Sequence, residues 1–139
     1  MTCGAFCVIN FIDMNQVIFH PQAPAPVGPY NQAILSGNTL YVSGQIAIDQ
    51  QTGRLVLDSI EDETHQVMKN LGYVLQAAGM DYTNIVKCSV FVTDMEQYGL
   101  INGVYASYFS EDTAPARELV QVANLPKYVH VEISCIAVK

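Results

Sequence analysis

The amino-acid sequence predicts one α+β domain, in which two helices cover one face of a mixed sheet. Several short segments alternate apolar and polar residues, as strands with one buried face do. Two other segments repeat apolar residues every three or four positions, as amphipathic helices do. The predicted order is strand, strand, strand, helix, strand, helix, strand, strand. Helices and strands mixed in this order, with hairpins at both ends, indicate a helical layer packed on a sheet.

The first part of the domain is predicted to form strands. Residues 16–19 are a short extended segment. Residues 20–30 contain four prolines, which exclude a helix and favour an irregular arm. Residues 31–36 and 39–48 alternate as strands, and the dipeptide Gly37-Asn38 between them is typical of a tight hairpin turn.

The first helix is predicted over about residues 60–78, where apolar residues recur on one stripe. Ser59 suits the N-cap, and acidic residues fill the first turn, where they interact favourably with the helix dipole. Gly79 suits the position just beyond the helix end.

The second half of the chain repeats this pattern with one more helix. Residues 84–93 alternate as a strand. Asp94 can cap a second helix, and Gln97 stands three residues on, as in a capping box. Residues 117–123 and 129–138 are predicted as the last two strands.

Composition limits the classes of function. The chain has 139 residues, of which 50% are hydrophobic and only 14% charged, with a formal net charge of −7. So few charges on a small domain suggest that other subunits cover part of its surface. An acidic chain offers little attraction to a phosphate backbone, so the composition disfavours nucleic acid as a partner.

The four cysteines suggest no metal site. Cys88 and Cys135 lie in predicted strands and are interpreted as small buried apolar residues. Cys3 and Cys7 lie near the N-terminus without the further Cys or His spacing that a metal site requires.

The N-terminal segment is interpreted as an extension. Residues 5–12 are apolar but too short to span a bilayer. No Lys or Arg precedes Arg54, so the basic region of a secretory or transit peptide is missing and we expect a cytoplasmic protein. We therefore expect residues 14–139 to form the single domain and residues 1–13 to be an appendage.

One arginine stands out. The chain has two, and Arg54 lies in a predicted turn, whereas Arg117 begins an apolar strand. A guanidinium there is costly to desolvate unless an anion meets it. The anion could be a protein carboxylate such as Glu132, in a structural ion pair at a subunit contact. It could instead be the carboxylate of a small substrate, which the planar fork of arginine matches with two hydrogen bonds.

The last strand separates two sets of side chains. Its small apolar residues, which should face the helices, are Val131, Ile133, Cys135 and Ala137. Glu132 then points to the opposite face, which we expect to meet another subunit. Ser43 and Gln45 lie opposite the apolar set of their own strand and are expected on the same face. A carboxylate, a hydroxyl, an amide and Arg117 are thus predicted to converge.

Several motifs resemble the RidA/YjgF family, and the likeness extends from about residue 14 to the end of the chain. They are Val27-Gly28-Pro29-Tyr30, Val42-Ser43-Gly44-Gln45-Ile46, Ala77-Ala78-Gly79, Val90-Phe91-Val92-Thr93-Asp94, Asn102 with Tyr105 and Phe109, Pro115-Ala116-Arg117, Leu125-Pro126 and Val131-Glu132-Ile133. This series is long and gapless, which makes the resemblance specific.

The resemblance implies a chorismate-mutase-like fold with a six-stranded sheet, a homotrimer, and ligand clefts between neighbouring subunits. It also implies an activity, the hydrolysis of 2-iminobutanoate and 2-iminopropanoate to 2-oxo acids and ammonia, with no cofactor or metal. In this family the residue at the position of Arg117 would hold the substrate carboxylate, and the residue at the position of Glu132 would help to order and activate water. The positions that would line the pocket are Tyr30, Ser43, Gly44 and Asn102.

Two residues depart from the common family pattern. Glu118 and Leu119 follow Arg117, where relatives often carry Ser or Cys, and the bulk of Leu119 affects the expected pocket volume and therefore the substrate preference. Some relatives are known as endoribonucleases or translation inhibitors, but the net charge of −7 and the two arginines disfavour RNA as a substrate. A non-catalytic, regulatory trimer that binds 2-oxo acids in the same cleft is the other alternative.

Overall fold

The structure is a computed structural model that describes residues 15–139. The predicted appendage 1–13, with Cys3 and Cys7, lies outside the described residues. The elements, in chain order, are β1 (Gln16–Ile18), β2 (Ala33–Ser36), β3 (Thr39–Gln45), β4 (Ile48–Asp49), β5 (Arg54–Leu55), α1 (Ile60–Ala77), β6 (Ile85–Val92), α2 (Tyr98–Ala106), β7 (Ala116–Gln121) and β8 (Val131–Val138).

Six strands form one sheet in the order β1-β2-β3-β8-β6-β7, and β4 with β5 forms a separate two-stranded hairpin. Strands β6 and β7 run parallel, whereas every other neighbouring pair in the large sheet is antiparallel. Helix α1 packs on β3 and β8, and α2 packs beside α1. The predicted mixed sheet of six strands with two helices is therefore confirmed.

The prediction for α1 is confirmed at both ends. The Ser59 side chain accepts a hydrogen bond from the backbone N–H of Asp62 at 3.0 Å, which satisfies one free donor of the first turn. Beyond the last turn, Gly79 has a φ of 71°, a left-handed conformation that glycine adopts without steric cost.

No helix among residues 15–139 is long and apolar enough to cross a membrane.

The helix-facing side of the sheet is the core. The predicted alternation in β8 is confirmed, because its four small apolar side chains are all buried there. Cys88 of β6 lies directly opposite Cys135 in the sheet register, and both are free and buried, as expected for small apolar residues. Burial raises the pKa of both thiols, which disfavours the reactive thiolate.

The predicted strand 39–48 is interrupted, and this changes which of its side chains face the core. Val42 pairs with Cys135, but Gln45 pairs with Ile133, so β3 contains one more residue than β8 across this interval. Such a bulge reverses the alternation of side chains beyond it. The expectation that Ser43 and Gln45 share a face was wrong, because Gln45 aligns with Ile133 on the buried side.

Helix α2 begins later than predicted. Asp94 does cap a turn, since its carboxylate accepts from the Glu96 backbone N–H at 3.0 Å. That turn is a 3₁₀ turn over Met95–Gln97, and α2 follows from Tyr98. Tyr98 and Asn102 lie on the side of α2 that faces β7, where both bond to Arg117.

Candidate functional site

A cavity of about 400 Å³ lies against the carboxylate of Glu132. Its walls come from three parts of the chain: the proline-rich arm at Pro24, the bulge of β3 at Ser43 and Gly44, and the loop before β8 at Pro126. This volume falls at the lower end of the range for small-molecule sites. A mostly apolar cavity with one carboxylate suits a small organic ligand.

The bulge in β3 makes room for the Glu132 carboxylate. A Cβ at Gly44 would lie 2.8 Å from Cδ of Glu132, closer than real side chains approach. The predicted pocket residues Gly44 and Glu132 are therefore in direct contact. Burial raises the pKa of Glu132 above that of an ordinary glutamate, because the desolvated carboxylate favours its neutral form.

Ser43 and Tyr30 contribute hydroxyl groups to the cavity, whose other polar lining residues besides Glu132 are Gln32, Gln45 and Lys127. Ser43 Oγ donates to the carbonyl of Asn31 at 2.6 Å, so its lone pairs are available to accept from a ligand. Tyr30 lines the same cavity and is half exposed, and its hydroxyl accepts from the Val27 N–H at 3.4 Å.

Gln32 holds the proline-rich arm against this cavity. Its amide nitrogen is in hydrogen-bond range of the carbonyls of His20, Ala23 and Pro24, at 3.1–3.2 Å, and its oxygen accepts from His20 N–H at 2.7 Å. The side chain is almost fully buried. Sequence reasoning missed this residue, although an amide at the start of an apolar strand beside an arm without regular structure was a usable signal.

Arg117 lies in a different cluster, on β7 beside α2. Its guanidinium donates from Nη1 to Asn102 Oδ1 at 2.9 Å and from Nη2 to Tyr98 Oη at 3.1 Å. The guanidinium carbon lies 4.8 Å from the ring centroid of Tyr105, which is within cation–π range. The structure thus brings Arg117 and Asn102 together and adds Tyr98 and Tyr105, which sequence reasoning did not assign to the site.

No protein carboxylate neutralises this guanidinium within residues 15–139. The ion pair between permanently charged groups in that part of the chain is Lys87–Glu118, at 3.1 Å, and the other contact of this kind is the hydrogen bond between His130 and Glu63, at 2.8 Å. Arg117 and Glu132 form no ion pair within one chain, and the alternative of a structural ion pair between them at a subunit contact stays a prediction. The contacts to Asn102 and Tyr98 use only part of the five-donor fork, so further N–H groups can meet an anion.

Arg117 and Glu132 lie on opposite faces of the sheet. Arg117 is paired with Cys88, which is buried under the helices, whereas Glu132 is paired with Phe91 on the outer face. The expectation that Arg117 lies on the same face of the sheet as Glu132 and Ser43 was wrong. We call Tyr30, Ser43, Gly44 and Glu132 the Glu132 half-site, and Tyr98, Asn102, Tyr105 and Arg117 the Arg117 half-site.

The two residues that follow Arg117 point to different faces. The carboxylate of Glu118 accepts from Ser89 and pairs with Lys87 on the outer face, and these contacts lower the pKa of Glu118. Leu119 lies opposite Val90, on the face of Arg117, and packs against the core. Leu119 therefore supports the sheet under the Arg117 half-site.

The side chains that could bind a metal ion form no metal site in the part of the chain that the structure describes. Residues 15–139 contain no group of three or more His, Cys, Asp or Glu side chains placed to hold an ion. The three histidines are instead used in packing or pairing: His20 stacks on Tyr73, His65 contacts the Tyr108 hydroxyl, and His130 pairs with Glu63.

Known proteins resemble this chain along most of its length. The family described as Endoribonuclease L-PSP matches residues 20–139. A RutC family protein of Synechocystis is 51% identical over 124 residues, which is 88% of this chain and 95% of the relative. The 2-iminobutanoate/2-iminopropanoate deaminase of Rattus norvegicus is 45% identical over 126 residues, or 91% of each chain. Among solved structures, E. coli TdcF with bound serine has a TM-score of 0.84 and 38% identity, covering 89% of this chain and 98% of its own.

Proposed function

Because the chain belongs to the Endoribonuclease L-PSP family, also called RidA/YjgF, we propose that it hydrolyses small 2-imino acids to 2-oxo acids and ammonia. The relatives at 41–45% identity that are named imine deaminases support this reaction class. The substrates proposed are 2-iminobutanoate and 2-iminopropanoate. The observation that carries the proposal is the Arg117 guanidinium, which no carboxylate of residues 15–139 neutralises.

Arg117 binds the carboxylate of the substrate in this proposal. Asn102 and Tyr98 fix the guanidinium from one side, and the ring of Tyr105 supports it. An arginine held in this way has already lost much of its rotamer freedom, so less entropy is lost when the anion binds. A charge-assisted contact of this type contributes about 1.5–3 kcal/mol.

Glu132 activates the water in this proposal. A protonated imine is itself electrophilic, so a strong nucleophile is not required. The water oxygen bonds to the imine carbon while Glu132 accepts a proton from the water. The resulting carbinolamine takes that proton on nitrogen. Ammonia then leaves as the carbonyl forms, and Glu132 takes the hydroxyl proton and passes it to the ammonia, which departs as ammonium. Ser43 accepts a hydrogen bond from the imine N–H through its free lone pairs, which orients the carbon toward the water.

A second copy of the chain completes the site, since one chain holds the two half-sites on opposite faces of its sheet. The outer face carries exposed apolar side chains such as Tyr41, which is 52% exposed, and Val120, which is 42% exposed. Burying such a face between copies stabilises an oligomer. We therefore propose the homotrimer that the family resemblance implies, with the Arg117 half-site of one copy facing the Glu132 half-site of the next.

The ligand class and the location belong to the same proposal. TdcF of E. coli was solved with serine, a small molecule that carries a carboxylate and a nitrogen on the adjacent carbon, as the proposed substrates do. We propose a cytoplasmic location, where pyridoxal-phosphate enzymes release such imines. RNA is not favoured as a substrate, because the chain carries a net charge of −7.

A coupled assay tests the proposal. Threonine dehydratase releases 2-iminobutanoate from threonine, and the formation of 2-oxobutanoate is followed with and without the protein. We expect catalytic amounts to accelerate its formation above the spontaneous rate. No acceleration at stoichiometric protein would refute the deaminase. Binding of 2-oxobutanoate without turnover would then favour the regulatory trimer, and salt-sensitive RNA cleavage that requires Arg117 would favour the nuclease.

A further inference from the structure

Glu63 is a buried carboxylate that the proposed reaction does not use. It lies in the first turn of α1 and is 1% exposed. One of its oxygens accepts hydrogen bonds from two successive backbone N–H groups, those of His130 at 2.6 Å and Val131 at 3.1 Å. The other oxygen contacts His130 Nδ1 at 2.8 Å. A single side chain of α1 therefore holds the start of β8.

The loop immediately before these N–H groups has an unfavourable backbone. Lys127 and Tyr128 have φ values of 55° and 56°, in the left-handed region that residues with a Cβ rarely adopt. Tyr128 is 80% exposed, so packing of its own side chain does little to hold it there. Two such residues in succession persist only where the surrounding structure enforces the conformation.

This loop is also a wall of the cavity. Pro126 and Lys127 line the space next to Glu132, and Glu132 follows the N–H of Val131 by one residue. The Glu63 contacts lie at the C-terminal end of the loop, and the carbonyl of His130 is held in addition by the Thr93 N–H at 3.1 Å. The position of the wall and the direction of the Glu132 side chain thus depend on the same anchored residues.

We infer that Glu63 is a positioning residue for Glu132: its hydrogen bonds to His130 and Val131 hold the left-handed loop closed and fix the cavity wall beside the carboxylate. The inference rests on the proposed function for its kinetic consequence. Glu63 acts on the Glu132 half-site, because the two residues that it bonds, His130 and Val131, directly precede Glu132 in the chain.

Steady-state kinetics of Glu63→Ala test this role. Because water activation depends on Glu132 and carboxylate binding on Arg117, we expect kcat to fall roughly tenfold while KM stays within about threefold. Glu63→Gln keeps a side-chain oxygen that accepts from both N–H groups and should retain about half of the wild-type kcat or more. Asp62→Ala, which removes the exposed neighbouring acid of the same turn, is the matched control and should match wild type. Wild-type kcat in folded Glu63→Ala would overturn the inference.

A second substitution, which relieves the strained backbone at Tyr128, distinguishes a positioning role of Glu63 from a role in stability alone. Glycine adopts the left-handed region without steric cost, so Tyr128→Gly weakens the tendency of the loop to open. We expect Glu63→Ala/Tyr128→Gly to regain about threefold in kcat over Glu63→Ala, with Tyr128→Gly alone within about twofold of wild type. No regain in folded protein, or insoluble protein in both backgrounds, would assign Glu63 to folding alone and overturn the inference.

An NMR measurement tests the positioning role of Glu63 without relying on enzyme activity. In an NMR titration of the Glu132 carboxyl, the wild-type pKa should exceed that of an exposed glutamate, because the group is partly buried. In Glu63→Ala the wall opens, water enters, and this pKa should move back toward the ordinary value. An unchanged Glu132 pKa would contradict the positioning role. If wild type shows no deaminase activity, the proposed function fails, but this titration still decides the role of Glu63.

Discussion

A side chain at position 44 would occupy the space that the carboxylate of Glu132 fills. An added Cβ would lie 2.8 Å from Cδ of Glu132, and the bulge between Val42 and Gln45 brings the two residues to this contact. The absence of a side chain at Gly44 is therefore a condition for the observed position of the proposed water-activating group.

Gly44→Ala should displace the Glu132 carboxylate and lower kcat/KM by roughly tenfold to 100-fold, because small errors in the position of a reacting group are costly. The protein should remain folded, since the flexible end of Glu132 can move. Gly99→Ala is the control: nothing lies within 4 Å of its added Cβ, and alanine in α2 should stabilise the fold by about 0.5–1 kcal/mol. Steady-state kinetics measure kcat/KM of the two variants, and denaturant unfolding measures their stability. Full activity of Gly44→Ala would show that the position of Glu132 does not matter for the reaction.

Replacement of Arg117 should abolish carboxylate recognition. We expect Arg117→Ala to lower kcat/KM by about 100-fold or more, and Arg117→Lys to lower it nearly as far because an ammonium lacks the planar fork. Arg54→Ala removes the other arginine, which is exposed in the β4–β5 hairpin, and should be silent. The comparison uses the coupled assay; equal activity of all three variants would exclude the anchoring role.

Tyr98→Phe tests a residue that only the structure assigns to the site. It removes the hydroxyl that accepts from Arg117 Nη2 at 3.1 Å and leaves Asn102 as the remaining hydrogen-bond partner of the guanidinium. We expect KM to rise by about threefold to tenfold with a smaller change in kcat, since the lost contact orients the binding group. Tyr128→Phe removes a solvent-exposed hydroxyl and serves as control. A change in kcat alone would show that Tyr98 acts on another step.

The pH profile should report the raised pKa of Glu132. The carboxylate is the active form, so kcat/KM should rise with pH through a pKa above that of an ordinary glutamate. In Glu132→Gln the remaining activity should be low and should lack this limb. Glu118→Gln alters another carboxylate of the same face, one with a lowered pKa. This control should keep the rise of kcat/KM with pH, which would show that the rise does not come from the loss of any nearby negative charge.

The same shift has a consequence for stability. A carboxyl group whose folded-state pKa is raised binds protons more tightly in the folded chain, so its contribution to stability falls as pH rises through the folded pKa. Wild type should therefore lose stability relative to Glu132→Gln between the ordinary glutamate pKa and the raised one. Thermal unfolding at several pH values measures this difference; the opposite sign would contradict the burial of the carboxyl group.

Mixed oligomers should recover activity if a site combines two copies. Arg117→Ala and Glu132→Gln are each expected to be nearly inactive. Unfolding and refolding them together in equal amounts should restore about a quarter of the wild-type activity, because that share of interfaces in a random ring pairs an intact Arg117 with an intact Glu132. Each variant refolded alone is the control. No recovery in a verified mixed trimer would place the complete site within one chain.

Sequence patterns were sufficient for the elements whose cause is local. The stripe of apolar residues, the Ser59 cap and Gly79 define α1 nearly to the residue, because capping and periodicity act within a few positions along the chain. The same holds for the alternation of β8, which correctly turned Glu132 away from the helices. The buried thiols of Cys88 and Cys135 also followed from their places in apolar strands.

Long-range pairing was beyond such patterns. The bulge that turns Gln45 inward and aligns Gly44 with Glu132 arises from the register between β3 and β8, strands separated by most of the domain. The partners of Arg117 likewise come from another element, since Tyr98 and Asn102 lie on α2. Neither feature has a local signature, because each depends on which strand or helix becomes the neighbour.

The sequence by itself thus determined the α+β class, the family and the identity of the charged groups, since periodicity, capping and motif residues are all properties of neighbouring positions. Only the tertiary structure decided that Arg117 and Glu132 occupy opposite faces of one sheet. The physical reason is that the face on which a side chain lies depends on strand register. A shift of one residue in the pairing between distant strands moves every side chain to the other face.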